Sequence, residues 1–125
     1  MKIVSINAMK GPNYWSVRRH KLIVMVLDLQ EMEELPSNKI DGFIEHIALE
    51  LQTLAGMDVG FGRTRGYGEV GVYNVVFAYQ EENVGRYTAK QSVAICEALI
   101  KGEPYDMTED IQTMREMRED SRLGP

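Results

Sequence analysis

The chain has 125 residues, 44% of them hydrophobic and 26% charged, with a formal net charge of −5. That is the composition of one folded domain, too short for two cores and too apolar for disorder. The acidic balance disfavours nucleic acid as the main partner, and the single cysteine, Cys96, leaves no internal disulfide and no thiolate zinc cluster.

In chain order, the opening MKIVSINAMKGPNYW lacks the long apolar core of a secretory signal. Leu22 to Leu27, the longest strongly apolar run, is strand-sized and too short to span a bilayer. A cytoplasmic protein without membrane partners is expected. Ile3 to Ala8 reads as a first strand, followed by Gly11-Pro12-Asn13, strong turn chemistry. Lys21 to Leu29 reads as a largely buried second strand. From Ile44, apolar residues at Ile47, Ala48, Leu51, Leu54 and Ala55 trace one helical face, and Gly56 supplies a left-handed stop. The glycine-rich stretch Gly56 to Gly71 has no helical period and reads as a loop or an irregular strand pair.

Val72 to Tyr79 is rich in β-branched and aromatic residues, hence a third strand. From Ala89, the spacing of Ser92, Val93, Cys96, Leu99 and Ile100 predicts a second helix that ends at Gly102 and Pro104. A weaker helix is predicted from about Thr108 to Ser121, with Thr108 as N-cap and Glu109 and Asp110 in an acidic first turn. Its stripe of Ile111, Met114 and Met117 is narrow, so it needs a surface to pack on. The architecture expected is α+β: a small mixed or antiparallel sheet packed against two main helices, plus a C-terminal helix.

Three constellations could carry chemistry. Tyr14, Trp15, Arg18, Arg19, His20 and Lys21 could bind a carboxylate or phosphate, arginine giving bidentate contacts; residue type alone favours a solvated strand entry. Gly60-Phe61-Gly62-Arg63-Thr64-Arg65-Gly66-Tyr67-Gly68 lacks the Lys-Ser/Thr of a P-loop, and reads better as a flexible loop presenting Arg63 and Arg65 to an anionic group or a neighbouring domain. Glu45, His46 and Glu50 form the third. His46 and Glu50, four residues apart, share the polar face of the first helix and could both reach a metal, with Glu45 as a general base. Catalytic zinc takes three protein ligands, and the H-x-x-E-H pattern would need a histidine where Gly42 stands. The site is incomplete, and an exposed helix face is the stronger reading. Cys96 falls in an apolar stripe and reads as a packing residue.

The blocks Gly11-Pro12-Asn13-Tyr14-Trp15-Ser16-Val17-Arg18-Arg19-His20-Lys21, Glu45-His46-Ile47-Ala48-Leu49-Glu50-Leu51-Gln52 and Val59-Gly60-Phe61-Gly62-Arg63-Thr64-Arg65 are specific when taken together. With Gly71-Val72-Tyr73, Gly85-Arg86-Tyr87 and Leu123-Gly124-Pro125, they resemble the start of the cyanophycin synthetases over nearly the whole chain. The resemblance implies an N-terminal domain, residues 1–125, with ATP-grasp and Mur-ligase-like domains expected downstream. Those domains would bring ATP and magnesium to the full enzyme, an ATP-dependent amide ligase that polymerises aspartate and arginine. No cofactor is expected in this stretch, and catalysis by it alone is not expected.

The implied role is polymer binding. Arg18, Arg19, Arg63 and Arg65 would take carboxylates of the Asp–Arg polymer cyanophycin, and Glu45, Glu50 and Glu69 its guanidinium groups. Relatives are expected to carry several dozen more residues between Pro36 and Glu45-His46, often ending in the histidine that completes H-x-x-E-H. Two alternatives follow: a truncated zinc metallopeptidase-like site at Glu45, His46 and Glu50 that trims polymer into primers, and a structural domain that organises a homo-oligomer.

Overall fold

A computed structural model describes residues 2–11, 22–30, 43–66 and 72–123. In chain order the elements are β1 (Lys2–Gly11), β2 (Leu22–Gln30), α1 (Phe43–Leu54), β3 (Gly62–Gly66), β4 (Val72–Ala78), α2 (Glu82–Ile100) and α3 (Thr108–Leu123). The four strands form one sheet in the order β1-β2-β4-β3, with every neighbouring pair antiparallel. The fold is therefore α+β, and the sheet is antiparallel throughout. The Gly11-Pro12-Asn13 turn lies outside the described residues beyond Gly11.

Strand β4 is buried on both faces. Tyr73, Val75 and Phe77 alternate toward the helices and belong to the core cluster, while Asn74 and Val76 between them are buried as well. This explains the near-continuous apolar run of its sequence, since a strand covered on both sides has no polar face to show. Met25 of β2 stands opposite Phe77 in the register, and both are fully buried. Helix α1 packs over the β3–β4 half of the sheet and on α2, and α2 packs over β1 and β2. Ile44, Ile47, Ala48 and Leu51 are the buried face of α1, as the 3.6-residue period requires.

Both helix ends marked by glycine in the sequence close in the same way. Gly56 has φ +94°, its N–H donates to the Thr53 carbonyl, and the Met57 N–H donates to the Gln52 carbonyl. Gly102, with φ +75°, repeats the pattern through the Leu99 carbonyl, and Glu103 donates to Ala98. These are paired Schellman bonds, which satisfy carbonyls left free at a helix end.

The structure corrects the sequence reading at three places. Helix α2 starts at Glu82, not Ala89. The added turns contain Gly85 and β-branched residues, poor helix formers in isolation. Packing overrides that preference: a Cβ on Gly85 would lie 2.7 Å from Met25 Cε and 3.0 Å from Tyr79 Cβ, so only glycine lets the helix come this close to the sheet. The glycine-rich stretch, read in part as a flexible loop, contains strand β3, so Arg63 and Arg65 belong to the sheet. At α3 the capping acceptor is Asp106, not Thr108: its Oδ1 accepts from the Thr108 N–H at 2.9 Å and from the Thr108 hydroxyl at 2.6 Å. Those two bonds hold the Asp106 carboxyl below its ordinary pKa.

Helix α3 packs on α1 and α2. Met114 is fully buried, and Ile111 and Met117 pack against the core. The surface needed by this narrow stripe comes from the same chain.

Candidate functional site

Strand β3 is the margin of the sheet under α1. Arg63 stands opposite Val76 and Arg65 opposite Asn74, with Thr64 between them opposite Val75. Val75 belongs to the helix-covered core, and the Thr64 hydroxyl donates to Glu45 Oε2 of α1 at 2.9 Å. Gly62 lets strand and helix meet closely, since a Cβ there would lie 3.0 Å from Leu49 Cδ1 and 3.3 Å from Glu45 Cβ. The motif G-R-T-R-G is thus an ordered edge strand, tied at its middle residue and crossed by a helix at its first glycine. Gly60 has open space around it and is not required by packing. Arg18, Arg19 and Glu69 lie outside the described residues.

Glu45, His46 and Glu50 do not come together. His46 and Glu50 are exposed on α1, whereas Glu45 is partly buried against β3 with one carboxylate oxygen occupied by Thr64. At 3.6 residues per turn, Glu45 and Glu50 project about 140° apart. Two groups on one face fall short of the three protein ligands of a catalytic zinc. Among the described residues, no group of three or more His, Cys, Asp or Glu side chains is placed to hold a metal ion.

Residue type alone did not mark a second polar cluster. Asp110, only 4% exposed, accepts from the Tyr87 hydroxyl at 2.9 Å, from Gln91 Nε2 at 2.6 Å and from the Tyr105 hydroxyl at 2.7 Å. Burial, then the bond to Asp110, pushes the Tyr105 phenol up to about 12, and the same causes raise Tyr87. Three donors engage both oxygens of the carboxylate, so the cluster fastens α3 to α2. A second fastening joins α3 to α1: Arg115 Nη2 donates to the Leu54 carbonyl at 3.0 Å and Arg118 Nη1 to the Gly56 carbonyl at 2.8 Å. Helix α1 has no basic residue in its last turn, so α3 supplies the positive charge that its C-terminus lacks. The only sequence hint was an acid in a first turn and arginines one turn apart, which says nothing about burial. Cys96 is fully buried and its thiol is pushed up to about 11 by burial, so it is not a nucleophile at neutral pH.

The model of the cyanophycin synthase-like N-terminal domain matches residues 42–101, from just before α1 to just past α2. Over its whole length the chain is 39% identical to the cyanophycin synthetases of Trichormus variabilis, Nostoc sp. and Synechocystis sp.. The chain belongs to this family of N-terminal domains. The match covers 100% of this chain and 18% to 19% of those relatives. Each alignment runs over 165 positions against the 125 residues here, so about 40 positions (165 − 125) have no counterpart in this chain. That agrees in size with the several dozen extra residues expected from the resemblance. The family match contains the Glu45–Thr64 tie and the whole of β3. No helix among the described residues is long and apolar enough to cross a membrane.

Proposed function

We propose that this domain is an accessory polymer-binding module of a cyanophycin synthetase. It holds the Asp–Arg polymer while ligase domains outside this chain, using ATP and magnesium, extend it. The family membership supports the setting, because the relatives are named for synthesis of that polymer. The observation that carries the binding role is the edge strand β3, with Arg63 and Arg65 at alternate positions of a strand tied to α1 through Thr64. Arginine suits carboxylates because its planar fork donates two parallel hydrogen bonds. A strand fixed at its centre has little left to order when ligand arrives. Arg18 and Arg19 are assigned the same role from their sequence pattern, and the exposed Glu50 of α1 offers a partner for the polymer's guanidinium groups.

Calorimetry with a short Asp–Arg oligomer tests this. The 125-residue chain binds it, Arg63→Ala and Arg65→Ala each weaken binding about tenfold, and the effect shrinks as salt rises. Binding that is absent, or that ignores both substitutions, overturns the assignment.

A further inference from the structure

We draw no further inference here: the strongest candidate, the start of α2 beside Tyr79, a 5% exposed residue whose hydroxyl has no hydrogen-bond partner among the described residues, carries nothing, because Glu81 and Glu82 oppose the anion that a helix start attracts and Arg86 is already taken by Glu82 and the Ile6 carbonyl.

Discussion

Removing the carboxylate of Asp110 unfastens α3. The side chain is 4% exposed and accepts three bonds, at 2.6, 2.7 and 2.9 Å, from Gln91, Tyr105 and Tyr87. A hydrogen bond to a charged group contributes about 1.5–3 kcal/mol net, so three independent bonds would total roughly 4.5–9 kcal/mol. They are not independent, because one carboxylate serves all three and the donors, being only partly buried, regain water once it is gone. Asp110→Ala therefore costs about 3 kcal/mol. Asp110→Asn keeps the shape and one good acceptor and costs about half as much, and Tyr87→Phe, which deletes one donor, costs about 1 kcal/mol. Urea unfolding at neutral pH measures all three, with the slope against denaturant checked for change. Hydrogen exchange adds location: amides of α3 lose protection in Asp110→Ala before those of β4 do. A loss below about 1 kcal/mol for Asp110→Ala, less than one charged hydrogen bond, refutes the view that this cluster holds the helix.

Two further outcomes follow from the same contacts. Gly56→Ala places a side chain at φ +94° with its Cβ 3.1 Å from Arg118 Nη1, whereas Gly102→Ala at φ +75° meets nothing within 4 Å. Each costs about 1–2 kcal/mol through its backbone, and Gly56→Ala costs more by the contact it forces on Arg118; equal losses in denaturant unfolding refute a part for that arginine. The folded state also holds the Tyr105 phenol up to about 12, against an ordinary value near 10, first through burial and then through its bond to Asp110. A raised acid favours the folded state while it stays protonated, so this stability is complete below about pH 10 and is lost as pH climbs toward 12. Unfolding measured at about pH 9 and about pH 11 shows the decline, Tyr105→Phe reduces it, and an unchanged decline in that variant rejects the assignment.

Periodicity made α1, β2 and β4 legible because each has one strong apolar pattern. Gly56 and Gly102 were readable for the same local reason: a left-handed position selects its residue almost alone. The first turns of α2 were not readable, since the fitness of Gly85 lies in its approach to Tyr79 and Met25, which no window of local sequence contains. Strand β3 was hidden for a related reason. Its five residues, Gly62 to Gly66, have two arginines and a threonine and no apolar alternation, because an edge strand under one helix needs few apolar contacts. The Asp110 cluster joins residues from α2, α3 and the segment before α3, so its acceptor and donors are far apart in the chain and each is ordinary by itself.

Glu45 shows how the fold decides between roles that residue type leaves open. By spacing it could have been the base beside a metal held by His46 and Glu50. Its carboxylate instead accepts from Thr64, the residue between the two arginines of β3. That bond fixes the strand where it passes beneath α1, and the missing side chain of Gly62 makes the approach close enough for it to form. A margin tied at its centre and paired on one side to β4 keeps Arg63 and Arg65 at constant separation along the strand. Glu45 therefore holds the strand that carries Arg63 and Arg65, a role that its residue type and spacing did not announce.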